Sequence, residues 1–351
     1  MTIKLDEKIV EYAVYGGAIL GGGGGGKIED GLQIGRLALE VGQPVLKEAN
    51  EMKEDGLLVT VSLVGAPAAK EQYVKPVHYI RAMELLEKEL PSPLQGIMTN
   101  ENGAGTTVNG WFQSAITGLP VVDIPCNGRA HPTGTMGSLN LSEIPNYVSR
   151  QVAVGGKGEK YVEMLISGSL DKAAQLVRYV SVEAGGLVAV ARNPVTVGYA
   201  KQHGAPGAIK QAIQLGEALL SHKGEAAIDA VISFLGGAVV AEGYVTDFKL
   251  DTMGGFDVGK VTINESYHMT FWNEYMTMEK EGERIGTFPD LLMTFDAKTA
   301  RPIVTAEMEK GQKVIVINVP KENLHLSSTM RNEKLLVPVE KIINKEIISY
   351  L

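Results

Sequence analysis

The stretch VVDIPCNGRAHPTGTMGSL, residues 121–139, gathers residue types that can do chemistry. It begins as an apolar, β-branched run. It then breaks at Asp123 into a loop with the chain's only cysteine, Cys126, followed by Arg129, His131 and Thr133. Buried strands end this way where a parallel sheet presents reactive groups at its carboxyl edge. Cys126 in such a loop, near Arg129 and His131, is a candidate nucleophile. The plainer alternative is a small buried hydrophobe, the commonest fate of a lone cysteine. Asp123 either acts at the sheet edge or accepts from N–H groups of the following loop. Arg129 has a fork suited to a substrate carboxylate or imide oxygen, and equally to tying down loop carbonyls. His131 is a candidate general acid or base, or a histidine satisfied by loop hydrogen bonds.

Two other stretches are expected to join it. One is the loop TNENG, residues 99–103, where Glu101 is flanked by Asn100 and Asn102. Glu101 is a candidate base or water-orienting group, or a solvated turn residue. The other is the glycine run at residues 21–26. Glycine lets a backbone approach a ligand closely, so Gly22, Gly23, Gly24 and Gly25 are expected to line a small-molecule pocket. The alternative is a tight turn. Ile28 follows Lys27, so the phosphate-binding G-x-x-x-x-G-K-[ST] pattern is absent, and six glycines match G-x-G-x-x-G trivially. The remaining histidines, His78, His203, His222, His268 and His325, form no metal-ligand spacing. No cofactor or metal is expected.

The elements that must hold these groups follow from periodicity. Residues 6–15 read as a helix ended by Gly16-Gly17, residues 18–20 as a short strand, and residues 28–41 as a helix, so the glycines fall between strand and helix. Strands are expected at 56–64, before Gly65-Ala66-Pro67, at 94–98 and at 121–124. Helices are expected at 77–90 and 106–117. This alternation indicates an α/β layer with a largely parallel sheet. Residues 142–158 read as irregular, with a boundary near Gly155-Gly156-Lys157-Gly158. A strand at 161–166, a helix at 170–182, a strand at 187–191 and helices at 208–220 and 225–235 follow. Strands at 238–250, 255–265, 268–278, 291–295 and 313–319 then predict an antiparallel unit. The expected fold is an N-terminal largely parallel α/β domain, residues 1–159, and a C-terminal α+β domain rich in antiparallel strands, residues 160–351.

The 351 residues carry a formal charge of −8, which argues against a nucleic-acid binder. One cysteine excludes an intramolecular disulfide and fits a reducing cytoplasm. No membrane span or signal peptide is expected. An edge-rich β domain makes a homo-oligomer the expected state.

The order of motifs resembles the S-methyl-thiohydantoin desulfurase-like family, formerly a domain of unknown function and associated with hydantoinase/oxoprolinase-type proteins. The likeness runs from the glycine turn through the Glu101 loop, the Val121-Val122-Asp123 strand and Gly128-Arg129-Ala130 with Pro132. It continues through Gly254-Gly255, Gly259, Pro289-Asp290-Leu291, Asp296, Arg301-Pro302-Ile303 and Gly311. The resemblance implies hydrolysis at a five-membered cyclic ureide or thio-ureide carbon, with water displacing an S-methyl group. It carries roles onto the glycine turn, Glu101, Asp123 and Arg129. The chain departs from the family pattern at Pro125, where a second acidic residue is usual, and at His131-Pro132-Thr133, where aromatic-Pro-Glu is usual. Cys126 is not a general family feature.

The expectation is therefore a cytoplasmic hydrolase for a small planar cyclic amide-like ring. Asp123, Cys126, His131 and Glu101 are its candidate catalytic groups. Arg129, Asn100, Asn102, Thr133 and Gly22 to Gly25 are its candidate substrate contacts. The rival expectations are a non-catalytic partner subunit of a hydantoinase/oxoprolinase-like enzyme and a metal-dependent hydrolase.

Overall fold

A computed structural model describes residues 2–66 and 69–351. The expected turn at Pro67 lies outside them. Two eight-stranded sheets organise the chain.

The first sheet holds β1 (Ile3–Lys4), β2 (Val45–Lys47), β3 (Leu57–Gly65), β4 (Gly96–Thr99), β5 (Val121–Val122), β6 (Ser149–Gly155), β7 (Val162–Gly168) and β8 (Leu187–Thr196). Their spatial order is β1-β2-β5-β4-β3-β8-β6-β7. The four strands β2, β5, β4 and β3 run parallel, and the others pair antiparallel, so the sheet is mixed. β6 lies in the segment expected to be irregular. β6 and β7 pair across residues 156–161, so this sheet continues past residue 159.

Helices cover both faces. α3 (Pro76–Glu87) buries Ala82, Met83 and Leu86 against Val59, Val61, Ile97, Val152 and Val154. α5 (Leu170–Glu183) buries Val177 against Ala153, Val188 and Val190 on the opposite face. Val152 and Val154 facing one way and Ala153 the other is the two-residue period of a strand covered on both sides.

The second sheet is wholly antiparallel: β9 (Ala238–Met253), β10 (Phe256–Ile263), β11 (Tyr267–Trp272), β12 (Glu274–Lys280), β13 (Glu283–Thr287), β14 (Leu291–Asp296), β15 (Pro302–Ile303) and β16 (Lys313–Val319). The strand expected over 268–278 is two strands. Asn273, at φ 57°, turns the chain between them, as asparagine tolerates the left-handed region. α1 (Glu7–Leu20), α7 (Ala208–Leu220) and α8 (Glu225–Leu235) pack on this sheet through Ile19, Leu20, Leu215, Leu219, Val231, Leu291, Met293 and Phe295.

Three local expectations are corrected. Residues 18–20 are the last turn of α1, not a strand, and Gly16-Gly17 does not end the helix. A Cβ on Gly16 would collide with the Ala212 carbonyl of α7; the glycine serves close helix packing. The glycine run therefore joins α1 to α2 (Ile28–Val41), helix to helix. The helix expected over 106–117 is a short 3₁₀ turn, Thr106–Val108, then α4 (Trp111–Thr117), split where Gly110 takes φ 90°. The strand expected over 121–124 ends at Val122. The structure adds α6 (Val197–His203) and α9 (Glu333–Ile343). Among the described residues no helix is long and apolar enough to cross a membrane.

Candidate active site

Because β3, β4 and β5 are parallel, the loops leaving them gather at one edge of the first sheet. Two backbone bonds splice the β4 and β5 loops together. Cys126 N–H donates to Thr99 O (3.0 Å) and Asn127 N–H to Asn100 O (3.1 Å). A cavity of about 110 Å³ lies at this edge. It is lined by Leu63 to Gly65 at the end of β3, Asn100 and Glu101 after β4, His131 to Gly134 after β5, and Gly25-Gly26 of the glycine turn. Arg178 of α5, Arg192 of β8 and Asn273-Glu274 of the second sheet close it.

Glu101 is 5 % exposed. Its Oε2 accepts from the His131 backbone N–H at 3.2 Å and lies 3.2 Å from His131 Nε2. The ring nitrogen is close but is not angled as a hydrogen bond, and neither His131 ring nitrogen has one. Burial pushes the Glu101 carboxyl up to about 8, against the pull of the His131 N–H and Arg192. Burial and the Arg192 charge hold His131 down at about 3, so its ring is neutral. Glu274 enters from β12 and is fully enclosed. Burial, then the charge of Glu101, raises its carboxyl well above the usual range, and its Oε2 has no hydrogen-bond partner. Gly24 makes room for it: a Cβ there would collide with Oε1 of Glu274.

Arg192 sits at 2 % exposure and makes no hydrogen bond among the described residues, with Nε unpartnered. Arg178 is committed to structure. Its Nη1 donates to Gly65 O (3.1 Å) and Gly255 O (2.7 Å), and its guanidinium lies 4.0 Å from the Phe256 ring centroid. Buried donors with no acceptor are costly, so the bare Arg192 fork calls for an oxygen ligand.

The expected site residues thus divide. Glu101, His131, Asn100, Thr133 and Gly25 line the cavity. Asp123, Cys126, Arg129, Asn102 and Gly22 to Gly24 do not. Asp123 accepts from Ile209 N–H (2.7 Å) and Lys210 N–H (3.3 Å), so it caps α7, although burial lifts its carboxyl to about 6. Cys126 is buried among Leu58, Met98, Val122 and Ile124, with Sγ 3.2 Å from Thr60 Oγ1, and burial pushes the thiol up to about 11. Arg129 is fully buried. It donates to Pro289 O (3.0 Å) and Asp290 O and stacks on Phe288 at 4.5 Å, fastening the β5 loop to the second sheet. Asn102 Nδ2 donates to Ala208 O (2.7 Å) and Gly128 O (3.3 Å). The glycine turn is a stitch between sheets: Gly22 O accepts from Tyr275 N–H (2.7 Å), Gly23 O from Thr305 N–H (2.8 Å) and Gly25 O from Gly105 N–H (2.8 Å).

Sequence reasoning missed Glu274, Arg178 and Arg192. Arg192 carried a readable signal, a cation inside the apolar run LVAVARNPV. Asn273 was a fainter one, a turn-former inside a strand pattern. Among the described residues no three His, Cys, Asp or Glu converge as a metal centre.

Two buried carboxyls on one cavity, in unlike surroundings, form an arrangement that can divide acid and base roles. Comparison with known proteins agrees with the fold. A crystal structure of a protein from Chromobacterium violaceum superposes with a TM-score of 0.72 at 19 % identity, covering 91 % of this chain and 92 % of that one. At that identity the likeness speaks for the fold alone. No curated protein matches the chain significantly. The S-Me-THD-like N-terminal domain matches residues 8–163 and the S-Me-THD-like C-terminal domain residues 169–333. Matched through both of its halves, the chain belongs to the S-Me-THD-like family.

Proposed function

We propose that this protein is a hydrolase acting on a small, planar cyclic amide or thioamide of the hydantoin or S-methyl-thiohydantoin type. The observation that carries the proposal is the Glu101–Glu274 pair on a small cavity also lined by Lys27 and by Arg192, whose fork has no hydrogen-bond partner among the described residues. Family membership supports the same chemistry.

Two neighbouring buried carboxyls do not both ionise, so the working form of the pair, reached as pH rises through about 8, holds one proton. Glu101 has the His131 N–H and the Arg192 charge on its side and takes the carboxylate role. Glu274, with an unpartnered oxygen, keeps the proton. Glu101 removes a proton from water as the oxygen bonds to the ring carbon that bears sulfur. Glu274 gives its proton to sulfur as the C–S bond breaks and methanethiol leaves. The C=N electron pair moves onto the ring nitrogen during attack and returns as the C–S bond breaks, and the second proton of the former water passes from oxygen to that nitrogen as the ring carbonyl forms, so the pair again holds one proton. Arg192 and neutral His131 steady the ring oxygen and the base.

Incubation with an S-methyl-thiohydantoin in ¹⁸O-water tests this. The expected result is equimolar methanethiol and a hydantoin with label in its new carbonyl. Absence of turnover on hydantoins, 2-thiohydantoins and S-methyl-thiohydantoins alike would refute it.

A further inference from the structure

Beside the ring-sized cavity lies a second one of about 480 Å³, and the two share Val64, Thr133, Gly134, Arg178 and Arg192 in their walls. The first is below the size of pockets that hold drug-sized ligands and the second is within it. The second cavity is largely apolar, walled by Val64, Ala174, Tyr179, Val182 and Phe256. It reaches solvent along α5, where Tyr179 is 60 % and Val182 47 % exposed. Asp171, which also lines it, is exposed. The arginines differ at this junction: Arg178 is taken up by backbone carbonyls and the Phe256 face, and Arg192 is bare.

We infer that the substrate ring carries a bulky apolar or aromatic substituent, which occupies the second cavity, and that Arg192 reads the ring carbonyl next to the carbon bearing it. This rests on the ring hydrolysis proposed above. A five-membered ring whose substituted carbon sits at the junction places the adjacent carbonyl at Arg192 and turns the sulfur-bearing carbon toward Glu101 and Glu274. In the second cavity an anionic tail would face Asp171 and apolar walls with, among the described residues, no free cation except Arg192 at the ring. An apolar tail leaves no polar group unpaired.

The test compares kcat/KM for S-methyl-thiohydantoins carrying benzyl, isobutyl, carboxyethyl or no substituent at that carbon. Calorimetric binding of the corresponding hydantoins runs beside it. The expected preference for benzyl and isobutyl over the bare ring is about tenfold or more, the usual scale for filling an apolar pocket. Ala174→Trp, which fills the cavity, and Tyr179→Ala, a surface change, should both shrink that ratio. Equal values for all rings, or a preference for carboxyethyl, would overturn the inference with the hydrolysis intact. If no ring turns over, the hydrolase proposal fails, and the binding ratio still decides the cavity: a benzyl preference sustains it and no preference ends it.

Discussion

The loops after β4 and β5 each bury a carboxylate within a few residues of a parallel strand's end, and the two carboxylates live in different company. Asp123 meets two N–H groups at the start of α7, which satisfy it and fix it as a cap. Glu101 meets one N–H, a neutral imidazole and an open cavity, with a second carboxyl as neighbour. A carboxylate saturated by backbone donors builds the fold. A carboxylate left partly unsatisfied and buried at a cavity retains the capacity to take a proton.

Glu101→Gln should break that contrast most sharply. Turnover should fall by about 10²–10⁴-fold, the usual contribution of a positioned base, with near-UV circular dichroism unchanged. The pH profile sharpens it. In the proposed mechanism Glu101 works ionised, so activity should fall as pH drops below about 8, the value to which burial lifts it. Arg192 pulls that value down, so Arg192→Leu should move the limb to higher pH and weaken ring binding by about tenfold or more, as loss of a charged hydrogen bond does. Asp123→Ala should act in the opposite compartment. It should cost about 0.5–2 kcal/mol in denaturant melts, the price of a helix cap, while leaving turnover near wild type. Cys126→Ala should have the smallest effect, about 1 kcal/mol of stability with turnover kept. The buried thiol should resist alkylation until the protein unfolds.

The cavity-bearing edge is legible in the sequence because its rule is local. A β-branched run breaking into polar turn residues marks where a parallel strand ends, and Glu101, Asn100, His131 and Thr133 follow from it. The partner carboxylate was not legible. Glu274 comes from the other sheet, and its approach depends on Gly24 and on the turn at Asn273, contacts that no spacing in the chain displays. Asp123, Cys126 and Arg129 lie off the cavity for a related reason. Their residue types suit chemistry, and what decides their work is a helix start at Ile209, a hydrophobic cluster around Leu58 and the carbonyls of Pro289 and Asp290, all remote in sequence. The sequence pattern puts the glycine run between strand and helix because Gly16-Gly17 reads as a stop. Gly16 is needed for contact with α7 and Gly17 for contact with Gly103 and Thr107, which the helix pattern alone does not reveal.

The central claim is that water is activated by Glu101 at the cavity and not displaced by a Cys126 thiolate. Methanethiol release from an S-methyl-thiohydantoin, measured in parallel for wild type, Glu101→Gln and Cys126→Ala, tests it most directly. The account predicts release by wild type and Cys126→Ala and none above background by Glu101→Gln. Release by Glu101→Gln, with a folded Cys126→Ala protein silent, would contradict it.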